Sequence, residues 1–253
     1  MGEGRDPTQR RGRHPARREF PIKRLGPLGR NAACLRESRA VNLGAGLLGL
    51  AAGLVVGPLA DRLATNAPIH APLLRRVPFS RRLPLVTAGT ALLASASGLA
   101  LGFTFEAAIA AFFCWVLVVI TRTDLEHRLI PDRIVLPSAV LVAAARTLDE
   151  PSVAWVLGGL GAGLALFLLV LAYPKGMGMG DVKLALFMGA GLGLAVVVGL
   201  FLGFIAGAAP AIVLLARHGR EARKQAIALG PFLALGAVIA LFAGDAILDW
   251  YLG

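Results

Sequence analysis

Two short segments of this chain carry side chains suited to acid–base chemistry. The first is Asp124-Leu-Glu-His-Arg-Leu-Ile-Pro-Asp132, directly after the apolar stretch 107–120. The second is Gly176-Met-Gly-Met-Gly180-Asp181-Val-Lys183, directly before another apolar stretch. A charge inside a membrane costs at least about 2.5–3.5 kcal/mol on insertion scales. Carboxylates beside such stretches therefore indicate a functional site.

Each carboxylate also has a structural interpretation when it is taken alone. Asp181 follows a glycine-rich turn, which suits a helix N-cap. Asp132 follows Pro131, which suits a cap or a first-turn acid near the positive end of a helix. Asp124 and Glu126 suit interfacial charges balanced by neighbouring arginines. Single residues therefore leave both interpretations open.

Taken together, two of these residues indicate hydrolysis. Asp124 ends one apolar stretch and Asp181 begins another, so alternating spans place both on one side of the membrane. Two close carboxylates share a proton, because they cannot both ionise cheaply. The ionised member can then deprotonate water while the protonated member polarises a carbonyl group. Such a pair hydrolyses peptide bonds.

The glycines before Asp181 suit the same chemistry. Without Cβ atoms, Gly176, Gly178 and Gly180 allow a substrate backbone to approach. A phosphate-binding loop is the competing interpretation of this pattern. It fails because no strand pattern precedes the loop and no Gly-Lys-Ser/Thr sequence closes it.

The composition is that of a membrane protein. Of the 253 residues, 57% are hydrophobic and only 16% are charged, whereas soluble domains are about 45–50% apolar. Apolar stretches near the length of about 20 residues that crosses hydrocarbon recur along the chain. We therefore predict an all-α bundle of about seven to eight transmembrane spans. The predicted spans are 41–60, 83–103, 105–121, 133–148, 152–173, 182–193, 194–216 and 230–250, with a break between the sixth and seventh around Gly189, Gly191 and Gly193.

The net charge of +11 reflects topology rather than nucleic-acid binding. Basic residues cluster in the connections 61–82 and 217–229, as expected for cytoplasmic loops. No interleaving of aromatic and basic residues of the kind that stacks bases is present. This orientation puts both acidic segments on the cytoplasmic side. It also puts the basic residues 1–40 outside, although Lys and Arg concentrate on the cytoplasmic side of membrane proteins. Either that segment is not made, or the first span does not cross fully.

The chain divides into two parts by composition. Residues 1–40 are basic and proline-containing, and we predict a disordered N-terminal arm. Residues 41–253 form the transmembrane domain. Glycines four residues apart within it predict close helix packing inside one chain in preference to dimerisation. These are Gly49 and Gly53, Gly159 and Gly163, and Gly199, Gly203 and Gly207.

The ordered motifs resemble one known family. Gly-Met-Gly-Asp at 178–181, followed by Val-Lys, is similar to the GxGD signature of intramembrane aspartic proteases. Asp124 with Ile-Pro-Asp at 130–132 resembles the first catalytic motif of type IV prepilin peptidases. Segments 53–62, 80–86 and 230–236 resemble, in order, parts of the same family's first, second and last spans.

This resemblance implies an activity and a set of site residues. Asp124 and Asp181 would be the catalytic pair. The substrates would be prepilin or pseudopilin precursors, whose short basic leader is removed on the cytoplasmic face of the inner (plasma) membrane. The motif positions with supporting roles would be Gly178, Gly180, Lys183, Pro131 and Asp132, with Lys183 acting on the proton of Asp181 and Asp132 capping its helix. Glu126 and His127 receive no role.

One departure from the family narrows the expected activity. Many members carry paired CxxC motifs after the first span, associated with zinc and with N-methylation. Here the chain has only Cys34 and Cys114, and residues 61–82 contain none. We therefore expect a peptidase with no metal and no cofactor, and we doubt methyl transfer. The alternative is a transporter that uses the same carboxylates for proton or cation coupling. The sequence leaves the pilin class and the oligomeric state open.

Overall fold

The computed structural model describes residues 34–66, 80–173, 177–218 and 228–252, and these ranges contain helices and no strand. The helices are α1 Cys34–Asn66, α2 Leu83–Leu101, α3 Phe105–His127, α4 Asp132–Asp149, α5 Ala154–Ala172, α6 Met179–Leu192, α7 Val196–His218 and α8 Gly230–Leu252. Each corresponds to one predicted span, so the all-α bundle is confirmed. The predicted arm lies outside the described residues except for 34–40, and it stays a prediction.

Six stretches are long and apolar enough to cross a membrane. They are Val41–Asn66, Leu83–Leu101, Phe105–His127, Ala154–Ala172, Met179–Leu214 and Gly230–Tyr251. Helix α4 is not among them, because its 18 residues include charged side chains near both ends. The fifth stretch contains two helices, α6 and α7, separated by a 3₁₀ turn over Gly193–Ala195. Gly193 has φ +57°, which glycine tolerates best, so the predicted break falls at the last of the three glycines named for it.

Helices α1 and α2 pack antiparallel. A Cβ on Gly98 would lie 2.4 Å from the carbonyl oxygen of Ala45 near one end of their contact. A Cβ on Gly57 would lie 2.7 Å from the Cα of Thr87 near the other end. The stretch Val41–Asn66 is long and apolar enough to cross a membrane, and the side of the membrane on which residues 1–40 lie stays a prediction.

The glycine spacings act within the chain, as predicted. Cβ atoms on Gly49 and Gly53 would collide with the α2 backbone, at 2.4 Å in each case. Gly159 and Gly163 lie against α6. Gly199, Gly203 and Gly207 lie against α8. Small residues let helix backbones approach closely in lipid, where no hydrophobic effect drives association.

The buried core fixes α3 against α6. The rings of Phe113 and Phe187 stack with centroids 4.8 Å apart, and both side chains are buried. A Cβ on Gly191 would come within 2.5 Å of the Phe113 ring. The two helices that carry the predicted catalytic residues therefore contact each other through aromatic packing deep in the bundle.

Candidate active site

Four helix ends meet at one end of the bundle. They are the last turn of α3 and the first turns of α4, α6 and α8, joined by the contacts given below. The two acidic segments supply three of these ends. The fourth belongs to the segment beginning at Gly230. We call this region the dyad end, because it contains Asp124 and Asp181.

Asp124 lies in the last turn of α3 and is almost fully buried, with 6% of its surface exposed. Its Oδ2 accepts a hydrogen bond of 2.9 Å from the backbone N–H of Gly230, the first residue of α8. Its backbone carbonyl accepts from the N–H of Arg128, which ends the helix in the left-handed conformation at φ 53°. Asp124 is thus anchored through both its main chain and its side chain.

Asp181 is the third residue of α6 and is partly buried. Its Oδ2 accepts from the N–H of Gly178 at 3.2 Å, and its own N–H donates to the Gly178 carbonyl at 3.1 Å. The residue therefore closes the first turn from inside the helix, whereas the sequence suggested an N-cap position. Asp181 and Asp124 lie close enough for their charges to interact.

The two motif glycines have different surroundings. Gly178 is exposed, and a Cβ built on it would meet the Asp181 carboxylate at 3.8 Å, an ordinary contact. A Cβ on Gly180 would meet the side chain of Ile130 at 3.1 Å. Gly180 therefore allows α6 to pack against the α3–α4 connection. The open space beside Gly178 leaves room for another backbone.

Pro131, Asp132 and Lys183 form a connection between α4 and α6. Pro131 is the N-cap of α4, and its carbonyl accepts from the N–H groups of Ile134 and Val135. Asp132 is the first residue of α4, directly after the N-cap. It pairs with Lys183, whose Nζ lies 2.6 Å from Asp132 Oδ1. Asp132 and Lys183 were each predicted to act on their own helix. Their ion pair joins α4 to α6.

A charged cluster lies beside the pair, and the sequence predicted only that a neighbouring arginine balances Glu126. The guanidinium of Arg122 is 5% exposed and forms ion pairs with Asp61 of α1, at 3.5 Å, and with Glu126. It also donates to Ser80 Oγ at 2.8 Å. The Ser80 N–H donates in turn to Asp61 Oδ2 at 3.1 Å. Arg82 approaches Glu126 to 3.6 Å.

The cluster fastens the ends of α1 and α3 to the start of α2. The spacing of Arg122 and Glu126, one helical turn apart, was the signal in the sequence. Asp61 gave no such signal, because its partner lies on another helix. Glu126, which received no role, is one of the acceptors in this cluster.

Comparison with known proteins identifies a family for the central part of the chain. Residues 111–213 match the type IV leader peptidase family. This range contains both aspartates and every supporting motif residue. No solved structure matches the chain.

Three curated proteins are similar over a longer range, and each bears the name prepilin leader peptidase/N-methyltransferase. The protein from Legionella pneumophila is 35% identical over 185 residues, covering 70% of this chain and 64% of its own length. That from Bacillus subtilis (strain 168) is 33% identical, covering 64% and 66%. That from Aeromonas hydrophila is 35% identical, covering 70% and 63%. The matched regions span just under two thirds of each relative, and residues 111–213 of this chain are a type IV leader peptidase family region.

Proposed function

We propose that this chain is a membrane-embedded aspartic endopeptidase that removes the short basic leader from type IV prepilin-like precursors. What supports the proposal is that Asp124 and Asp181 lie close enough for their charges to interact, within the range that matches the leader peptidase family. The relatives' name adds the substrate class. Methyl transfer is left out, because residues 61–82 contain no cysteine.

The pair can perform the hydrolysis with water alone. One carboxylate is ionised and takes a proton from a water molecule, whose oxygen attacks the carbonyl carbon of the scissile peptide. The other carboxyl group is protonated and donates to the carbonyl oxygen as the tetrahedral intermediate forms. Breaking the C–N bond then requires a proton on the leaving amine, which the first carboxyl group has just gained. As the C–N bond breaks, the second carboxylate takes a proton back from a hydroxyl group of the intermediate, whose oxygen becomes the carbonyl oxygen of the new carboxyl terminus, so both groups return to their starting states.

The charge distribution supports a cytoplasmic dyad end. The described cations at this end include Arg82, Arg122, Arg128 and Lys183. The opposite end carries Glu106, Asp149 and Glu150 at helix termini. Lys and Arg concentrate on the cytoplasmic side of membrane proteins. Leader removal would therefore occur at the cytoplasmic face of the inner (plasma) membrane.

Paired substitutions test the proposal. Asp124→Asn and Asp181→Asn keep the side-chain shape and the capacity to accept a hydrogen bond, but neither can exchange a proton. Each is expected to lower the rate of leader removal in membranes by at least about a thousandfold, since both proton transfers are required. Asp149→Asn, at the opposite end of α4, is the matched control and should cleave like the wild type. Leader removal at the normal rate by either dyad variant would overturn the proposal.

A further inference from the structure

The first turn of α8 contains one backbone donor that only Asp124 satisfies. Helices leave their first N–H groups without partners in the helix. At the start of α8, Pro231 has no N–H, and the N–H of Phe232 donates to the Leu229 carbonyl. The remaining N–H, that of Gly230, donates to Asp124. The carboxylate of α3 therefore caps α8 across the bundle.

We propose that this contact assigns the two roles within the pair: Asp124 is the ionised member that activates water, and Asp181 holds the shared proton. Gly230 is then a positioning residue that acts through Asp124. This inference rests on the proposed function for the reaction, but the ionisation of the two carboxyl groups can be measured without it. In the reaction, the proton of water passes to Asp124 and the proton of Asp181 passes to the substrate carbonyl.

Burial disfavours a charge on Asp124, and two neighbouring groups oppose that effect. The hydrogen bond from Gly230 is buried, where electrostatic interactions are stronger than in water. It comes from the positive end of a helix of 23 residues. Arg128, at the end of the same helix as Asp124, adds a positive charge that acts on this carboxylate. Hydrogen bonds donated to a carboxylate favour ionisation.

Asp181 receives a weaker hydrogen bond, although it lies in the first turn of α6. Among the described residues its donor is the N–H of Gly178, at the longer distance of 3.2 Å and exposed to solvent. It also faces the negative charge of Asp124. Since like charges cannot both ionise cheaply at close range, the proton goes to the member with the poorer donors.

Other charged groups around Asp124 are already paired. The start of α8, residues 230–236, carries no charged side chain. Asp132 of α4 is paired with Lys183 of α6. Asp61 of α1 is paired with Arg122. Within the described ranges, the groups that act on Asp124 therefore include Gly230, Arg128 and Asp181.

Glycine is required at position 230 by this contact. A Cβ there would lie 2.7 Å from Oδ2 of Asp124 and 3.0 Å from its Cγ. The carboxylate would have to move away from its donor. Gly230→Ala therefore acts directly on the position of the Asp124 carboxylate.

The first test compares pH–rate profiles of leader removal. In Gly230→Ala the ionised form of Asp124 loses its donor, so the acidic limb of kcat/KM should move up by about one pH unit. That corresponds to a loss of about tenfold below the limb. The apparent pKa read from this limb belongs to the aspartate pair and not to one residue.

Gly244→Ala is the control on the same helix. Its Cβ would lie 2.8 Å from that of Ala195, so the variant should be less stable but keep the acidic limb at the wild-type pH. If the acidic limb of kcat/KM lies at the same pH in Gly230→Ala and in the wild type, the proposal is overturned.

The second test needs neither cleavage nor a glycine variant. Asp181→Asn leaves Asp124 as the only carboxyl group of the pair, and Asp124→Asn leaves Asp181. The C=O stretch of a protonated carboxyl group, followed by infrared spectroscopy during a pH titration in lipid vesicles, reports each one separately. Asp124 should lose its proton at lower pH than Asp181. The reverse order, or equal midpoints, would contradict the role assignment, whatever the cleavage assay shows.

Discussion

Gly178 lies beside the aspartate pair. At this position the steric requirements of the fold can be distinguished from those of a bound substrate. Its surroundings would accept a Cβ atom without a clash. It also donates to Asp181 through its backbone, which alanine would preserve. Nothing in the described part of the fold therefore requires glycine here on steric grounds. If glycine is needed, the reason is a substrate backbone that passes close to it.

Gly178→Ala tests whether the fold or the approach of a substrate backbone requires glycine at this position. The variant should unfold at the same temperature as the wild type, because its new methyl group meets only an ordinary contact. Its KM for a prepilin should rise by about tenfold, while kcat changes less, since the loss falls on substrate approach. Gly180→Ala is the comparison: its methyl group would press on Ile130 at 3.1 Å and should reduce stability. An unchanged KM in Gly178→Ala would show that no substrate backbone approaches this position.

At the scale of elements, buried ion pairs hold the helix ends in position. Arg122 joins α1, α3 and the start of α2 at the dyad end. Arg146 has the corresponding position at the opposite end. It contacts Glu106 of α3 at 3.1 Å, and its guanidinium lies 5.0 Å from the ring centroid of Trp155 in α5. The difference lies in the partners: Asp61 is 1% exposed, whereas the Glu106 side chain is 44% exposed.

This difference in the exposure of the partners predicts that Arg122→Ala and Arg146→Ala lower the free energy of unfolding by unequal amounts. Arg122→Ala leaves Asp61 buried and without its cation, and should lower the free energy of unfolding by roughly 3–5 kcal/mol. Arg146→Ala leaves a partly solvated Glu106 and should cost less, about 1–2 kcal/mol. Unfolding in mixed detergent micelles measures both. Adding Asp61→Asn to Arg122→Ala should recover part of the loss, because the buried charge is then gone. Equal costs for the two single variants would contradict the proposed difference in burial.

The whole molecule presents two chemically different ends. The dyad end carries arginines and lysine, and the opposite end carries acidic residues at the termini of α3 and α4. Trp250 and Tyr251 are exposed near the end of α8, where aromatic side chains suit a membrane interface. This asymmetry favours one orientation of the bundle in the membrane.

Cysteine labelling tests the orientation in whole cells. Both native cysteines are first replaced by serine, and Glu126→Cys or Asp149→Cys is then introduced. A membrane-impermeant maleimide should label the cysteine at 149 in intact cells, and the cysteine at 126 only after the membrane is permeabilised. Position 249, near the end of α8, provides a second site at the same end of the bundle as position 149. Labelling of position 126 in intact cells would reverse the assigned orientation.

Much of this protein was determined by its sequence alone. The lengths and polarity of the apolar stretches predicted all eight helices, because a backbone in hydrocarbon must satisfy its hydrogen bonds within each segment. The order of the stretches placed Asp124 and Asp181 at the same end, since each acidic segment is adjacent to the end of a span. The glycine spacings predicted close packing within the chain.

Only the tertiary structure decided which side chains meet. The Gly230 donor of Asp124 lies 106 residues away in the chain, and the Asp132 partner of Lys183 lies 51 residues away. Local pattern gave Asp132 a role as a helix cap and Asp124 a role as an interfacial charge. Their actual partners depend on how the helices are arranged, and that arrangement is set by close packing across many residues. The sequence therefore specified the reactive groups, and the packing of α8 against α3 decided the environment of Asp124.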